Sequence, residues 1–154
     1  MLRAIRFTIT IVGALALILN FANIGQSQVG TSQLVNPDLA SEKELLALPH
    51  MNAAIVKSIL DQRPFLQMAD LHALLAKSLN KDQLAELYTK VFVQINLNSA
   101  SQEEILMIPV TGNRMLREFR EYRPYTNIAQ FRKEIGKYVD KKEVARLERY
   151  LTLN

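Results

Sequence analysis

The sequence predicts an all-helical protein that contains two tandem copies of one module of four to five short helices. The first observation is composition: 49% of the 154 residues are hydrophobic, which is enough for a packed core. Trp is absent and only 5 residues are Gly, which suits short helices better than a sandwich or barrel. The absence of Cys excludes disulfides, thiolate metal sites and a Cys nucleophile.

The second observation is an internal repeat, because the chain matches itself without a gap when it is shifted by 60 residues. A gapless match of this length predicts a duplicated module. We define the first copy as residues 36–92 and the second copy as residues 96–152. Identical residues recur at Asn36 and Asn96, Ser41 and Ser101, Glu44 and Glu104, Pro49 and Pro109, and Arg63 and Arg123.

The third observation is that each copy carries the same signals for helix boundaries. Residues 41–44 and 101–104 match the capping box, in which Ser accepts from a helical N–H and Glu accepts from the Ser N–H. A Pro eight residues after each Ser predicts the end of that first helix. Three further helices are expected in each copy, at 53–62, 68–77 and from 80, and at 113–122, 128–135 and from 140.

Two features lie between these helices. Residues 91–95 alternate as a strand does, and we interpret them as the junction between the copies. Arg63 and Arg123 each precede a Pro that ends the second helix of a copy. We interpret this Arg pair as structural and expect each guanidinium to bond the last carbonyls of that helix.

Residues 1–27 predict either a secretory signal peptide or an uncleaved membrane anchor. Arg3 and Arg6 precede an uncharged apolar run that ends at a small-x-small cleavage pattern. The run of roughly 16–18 apolar residues is near the lower limit for crossing a bilayer, so anchoring by residues 7–24 stays open. Either alternative predicts an exported protein, in the periplasm or at the cell surface, with residues 28–35 as a linker.

The charge of the chain is concentrated in the second copy. Residues 28–95 carry six basic and seven acidic side chains, whereas residues 96–154 carry eleven basic and eight acidic ones. This asymmetry favours an anionic partner for the second copy.

The second copy resembles the ComEA-type helix-hairpin-helix domain. The resemblance lies in residues 95–105 (Ile-Asn-Leu-Asn-Ser-Ala-Ser-Gln-Glu-Glu-Ile), residues 108–112 (Ile-Pro-Val-Thr-Gly) and residues 123–125 (Arg-Pro-Tyr). The first copy resembles the same pattern in a degenerate form, at residues 48–52 and 63–65. The resemblance implies a compact fold with two hairpins per domain and a role in DNA uptake, or competence.

The resemblance also implies a mode of binding to double-stranded DNA. In DNA-binding members, backbone N–H groups of the hairpin and nearby Lys or Arg hold phosphates, because a helix N-terminus is a partial positive charge. Such contacts carry no sequence information. Transferred to this sequence, the DNA-binding residues are Thr111, Gly112, Asn113, Arg114, Arg117, Lys137 and Lys141.

The chain departs from the family at the hairpin glycines. The second Gly of each turn corresponds to a residue that can cap a helix, at Asn52, Asn80, Gly112 and Asp140. The first Gly, which lets the backbone approach a phosphate, is replaced by His50, Ser78, Val110 and Tyr138. The hairpin at residues 109–114 is therefore the best remaining phosphate site.

Arg residues recur every third position from Arg114 to Arg123, and this pattern has two interpretations. One is a solvated helix with Arg114–Glu118 and Arg117–Glu121 ion pairs. The other is a stripe that faces phosphates.

A protein-interaction function stays open beside DNA binding. No nucleophile or phosphate-loop pattern occurs, and His50 and His72 lack the neighbours of a metal site, so we expect no catalysis, metal or cofactor. The alternative is a structural or adaptor module in an exported complex that has lost DNA binding. The replaced hairpin glycines and the nearly neutral first copy favour this alternative.

Overall fold

The computed structural model describes residues 34–153, and this part of the chain is mostly helical. It contains eight α-helices and two strands of two residues each. The predicted all-helical class is thereby confirmed, whereas the predicted signal peptide or anchor at residues 1–27 lies outside the described residues. No helix within residues 34–153 combines the length and apolarity needed to cross a membrane.

Four helices form each copy, and their starts follow the predicted signals. The first copy contains α1 (Glu42–Leu46), α2 (Ala53–Gln62), α3 (Met68–Leu75) and α4 (Lys81–Leu87). The second copy contains α5 (Gln102–Met107), α6 (Asn113–Glu121), α7 (Ile128–Ile135) and α8 (Lys141–Glu148). Only α3 ends clearly before its predicted limit, at Leu75 instead of residue 77.

Side chains cap most of these helices as the sequence predicts. Ser41 and Ser101 form complete capping boxes with Glu44 and Glu104. Ser41 donates to the Glu44 carboxylate from its hydroxyl (2.7 Å) and its backbone N–H (2.8 Å), and these two bonds lower the pKa of Glu44. A charged carboxylate thus stabilises the first turn of α1.

Short parallel pairs join the beginning and the end of each copy. In the first copy Val35 forms a bridge with Val91. In the second copy β1 (Ile95–Asn96) pairs with β2 (Leu151–Thr152) at positions 60 residues further along. The prediction for residues 91–95 did not include these partners, because a two-residue strand leaves no periodic pattern. Val35, assigned above to the linker, already belongs to the fold.

The two Arg side chains before the prolines stabilise the fold in a different way from the one expected. Arg63 Nη2 donates to the carbonyl of Ala40 at 2.6 Å, and Arg123 Nη2 donates to the carbonyl of Ala100 at 2.9 Å. Arg123 Nε also donates to the carbonyl of Leu97 at 2.7 Å. The expected bond to the end of the preceding helix is wrong, because both side chains reach back to the segment before the first helix. Each Arg thus fixes the start of its copy against the end of its second helix.

The two copies pack against each other within residues 34–153. The rings of Phe92 and Tyr150 meet edge to face with their centroids 4.9 Å apart. Gln94 Nε2 donates to the carbonyl of Arg149 at 3.0 Å, across the same boundary. Helices α3 and α5 are also in contact. The core therefore continues from one copy into the other, and fully buried side chains on both sides include Leu45, Ile59, Leu71, Ile105, Phe119 and Phe131.

Candidate nucleic-acid interface

The hairpin before α6 presents an exposed turn and a helix without a side-chain cap. Val110 has a φ of 64°, and 94% of its surface is exposed. Gly112 occupies the cap position of α6 in an extended conformation and offers no side chain to the helix. The first N–H groups of a helix have no partner within that helix, and they carry its positive end. The start of α6 can therefore accept an anion.

Glu118 turns inward from the Arg-rich helix. Its side chain is only 6% exposed, and its Oε2 has no hydrogen-bond partner. The Arg114–Glu118 pair, one of the two predicted above, is absent, because Glu118 lies on the buried face of α6 beside Phe119. Arg117 is 70% exposed and meets Glu118 only at the edge of this face, with Nη2 3.6 Å from Oε1.

The second predicted pair, Arg117–Glu121, is also absent from the ion pairs of residues 34–153. Instead, Asn113, Arg117 and Arg120 line an open groove beside the hairpin, together with Glu121. The groove carries more positive than negative side chains, so its field favours an anion at the start of α6.

Two tyrosines connect the predicted residues Arg114 and Lys137. The hydroxyls of Tyr122 and Tyr138 are 2.8 Å apart. The Arg114 guanidinium lies 5.8 Å from the centre of the Tyr138 ring, and Lys137 Nζ lies 5.0 Å from the centre of the Tyr122 ring. We call Arg114, Tyr122, Lys137 and Tyr138 the tyrosine cluster. Cations over aromatic faces are held by the ring quadrupole, so the two basic groups are fixed beside the hairpin.

The surroundings of the tyrosine cluster raise the pKa of Tyr138 and of Lys137. The hydrogen bond with Tyr122 raises the pKa of Tyr138, and a weaker contribution comes from Glu118. Lys137 forms an ion pair with Glu134, which raises the pKa of Lys137 and keeps it charged. The cluster therefore presents two cations beside a neutral Tyr138 phenol.

Two predicted residues lie apart from this cluster. The Thr111 hydroxyl is buried without a partner, and its N–H donates to the carbonyl of Ile108 at 3.1 Å. Lys141 lines a groove between α7 and α8 with Arg132 and Lys133. Arg132 in turn pairs with Glu148, with Nη2 2.5 Å from Oε1. The predicted set therefore spans more than one patch, of which the hairpin with Arg114 and Lys137 is the most coherent.

The first copy provides an internal comparison, because the same positions there carry little free charge. Ala54 stands at the position of Arg114. Lys57 stands at the position of Arg117 and pairs with Asp61 at 2.5 Å. The Asn52 side chain accepts from the N–H of Ile55 at 3.0 Å and so caps α2. The start of α2 is consequently less suited to an anion than the start of α6.

Sequence reasoning overlooked the tyrosine pair and the burial of Glu118. Tyr138 was noted as a departure from the hairpin pattern, and neither Tyr122 nor Tyr138 was given a place in the site. The two residues are 16 positions apart, on either side of α7, and no local spacing predicts their contact. The presence of a Tyr in a hairpin position was the only available signal.

No protein-family model, curated protein or solved structure matches the chain. The resemblance to the ComEA-type domain therefore stays a prediction from the quoted residues. Within residues 34–153, no group of three or more His, Asp or Glu side chains is placed to hold a metal ion.

Proposed function

We propose that the chain is an exported, non-enzymatic protein of two tandem helix-hairpin-helix domains that binds duplex DNA without sequence specificity. The second domain makes the contacts, through backbone N–H groups at the start of α6 and through Arg114, Arg117 and Lys137. The observation that carries this proposal is the asymmetry between the copies. The start of α6 has no side-chain cap and is flanked by exposed basic groups, whereas the start of α2 is capped by Asn52.

The backbone of the two hairpins supports the helix-hairpin-helix assignment. His50 and Val110 have φ values of 63° and 64°, in the left-handed region that Gly adopts most readily. These are two of the positions where the family pattern places its first Gly. The turns thus keep a conformation suited to Gly although both residues carry side chains.

Contacts of this kind predict weak, salt-sensitive binding. Phosphate contacts by Arg and Lys release counterions, so the affinity falls steeply as salt rises. Only a few uncompensated cations surround α6, because Lys137 is already paired with Glu134. We therefore expect micromolar affinity for duplex DNA, by analogy with other non-specific binding.

Titration of the full chain, purified in mild detergent, against a labelled duplex of random sequence tests this proposal. Fluorescence anisotropy is measured with a probe of about 40 base pairs at several salt concentrations, where the logarithm of affinity should fall linearly with the logarithm of salt. Absence of binding at low salt would refute DNA binding by this chain.

Charge reversal locates the surface. The double substitution Arg114→Glu and Arg117→Glu should abolish duplex binding without loss of helical circular dichroism, because both side chains are exposed. A matched control, Lys43→Glu with Lys57→Glu, changes the net charge equally in the first copy and should retain most of the affinity. Equal loss in both variants would show that net charge, rather than the α6 surface, controls binding.

One observation favours the adaptor alternative. A groove of about 530 Å³ between the copies is lined mainly by apolar side chains, among them Leu79, Leu84 and Leu106. Val110 and Thr111 also line it, and the buried Thr111 hydroxyl there lacks a partner. Apolar grooves with a few polar groups are typical of binding sites. Affinity capture from an exported fraction, with no DNA binding by the same preparation, would favour this function.

A further inference from the structure

The tyrosine cluster exists only in the second copy. The first copy has Gln62 at the position of Tyr122 and Ser78 at the position of Tyr138. It also has Ala54 at the position of Arg114, so the ring pair and one cation are absent there together. Tyr138 lies just before α8, in the hairpin position that the family pattern gives to Gly. In that hairpin an aromatic ring therefore stands where a Gly would let the backbone approach a phosphate.

The cluster is joined by a hydrogen bond and is partly open. Tyr122 and Tyr138 are half-buried, their hydroxyls are bonded to each other, and their rings are tilted by 47°. The buried Glu118 contributes to the raised pKa of Tyr138, and the guanidinium of the exposed Arg114 lies over the Tyr138 ring. A guanidinium over an aromatic ring presents a flat cationic surface, and a nucleobase can stack on it while the charge attracts the adjacent phosphate.

We propose that Tyr138 and Arg114 form a stacking site for an unpaired nucleobase, so that the second copy binds DNA with a single-stranded tail more tightly than fully paired duplex. The inference rests on the proposed DNA-binding function and adds a substrate class to it. A paired base inside a helix cannot present its face to a side chain, whereas a base in a tail can. Stacking of one base increases affinity by about tenfold.

The test separates bases from phosphates, because a tail also adds charge. The full chain is titrated against three labelled probes that share a duplex of about 20 base pairs: blunt, with a single-stranded tail of about 10 nucleotides, and with an abasic tail of equal length. We expect about tenfold tighter binding to the tail with bases than to the abasic tail, since one stacked base supplies the difference.

Two substitutions at one position assign this preference to the ring. Tyr138→Leu keeps apolar bulk but removes the aromatic face, and it should make the tailed and abasic probes equal in affinity. Tyr138→Phe loses only the hydroxyl bonded to Tyr122 and should keep most of the preference. Unchanged helical circular dichroism shows that each variant remains folded. Because the Tyr138 ring also holds Arg114, the ratio of tailed to abasic affinity, and not the affinity for the blunt probe, reports on stacking.

The outcomes distinguish the inference from the function on which it rests. Equal binding of tailed and abasic probes by the unmodified chain, or a preference that survives Tyr138→Leu, overturns the stacking site while duplex binding stands. Failure to bind all three probes at low salt overturns duplex binding and the stacking site together.

Discussion

Val110 illustrates at the scale of one residue how this chain departs from the hairpin pattern it resembles. A β-branched residue with a φ of 64° is strained, because its Cβ approaches the backbone carbonyl, at a cost of roughly 1–2 kcal/mol. The side chain is 94% exposed and gains almost no packing in return. His50 has the same backbone conformation but bonds through Nε2 to Glu86 Oε2 at 2.8 Å. Glu86 therefore stabilises the strained turn at His50, whereas the side chain of Val110 can form no hydrogen bond to stabilise its turn.

Val110→Gly should raise the free energy of unfolding by about 0.5–1 kcal/mol, measured by urea denaturation. Relief of left-handed strain exceeds the entropy that Gly loses on folding. His50→Gly should gain less, because it also loses the contact with Glu86. A lower stability of Val110→Gly would contradict the strained turn.

Capping boxes act at the scale of the helix. Helices α1 and α5 have only five and six residues, so satisfied N–H groups in the first turn matter to their stability. We expect Ser101→Ala to lower the free energy of unfolding by about 1 kcal/mol. The nearby Ser99→Ala is the control and should change it by less than about 0.5 kcal/mol, as is usual for an exposed residue. Equal effects of both substitutions would argue against the cap.

The cap of α1 should also depend on pH. Hydrogen bonds from Ser41 lower the pKa of Glu44 in the folded state. The stabilisation is therefore complete above the ordinary Glu pKa and is lost as the pH falls through the lowered value. Relative to Glu44→Gln, the unmodified chain should be more stable near neutral pH, and thermal unfolding should show this advantage shrinking in acid. A constant difference between the two proteins would show that charge on Glu44 contributes nothing.

The packing of the two copies belongs to the scale of the whole molecule. Phe92 is 2% exposed and Tyr150 is 1% exposed, and their rings meet across the boundary between the copies. Phe92→Ala should lower the free energy of unfolding by about 3–5 kcal/mol. Circular dichroism and tyrosine fluorescence should still report one shared transition in urea. Leu66→Ala is the control, because this side chain is 83% exposed and its removal should leave the free energy of unfolding nearly unchanged. Two separate transitions in the unmodified chain would contradict a shared core.

Local signals in the sequence predicted the helices well but not the contacts between distant residues. Ser41, Ser101, Asn80 and Asp140 cap helices where expected, because a cap depends on a few adjacent residues. The inward turn of Glu118 depends on which face of α6 meets the core. Spacing on one helix cannot reveal this, so the Arg–Glu pairs were misjudged.

In the candidate site, too, local features were predictable from the sequence and contacts between distant residues were not. The hairpin at α6 was predictable from Gly112 and the residues after it, since a short pattern defines it. The tyrosine cluster required Tyr122 and Tyr138 to meet across α7, and the target of Arg123 required knowledge of the segment before α5. Both depend on tertiary packing, which sequence periodicity does not encode.

The parallel pairs have a mechanical consequence. Val35 at the start of the first copy pairs with Val91 at its end, and Ile95 and Leu151 pair in the same way in the second copy. Tension applied between the two ends of a copy slides such parallel segments past each other, so their hydrogen bonds resist in shear and share the load. In a chain held at its N-terminus and pulled through a ligand on the second copy, the force would cross the first copy through the Val35–Val91 pair. The helices of that copy would be stretched only after this pair separates.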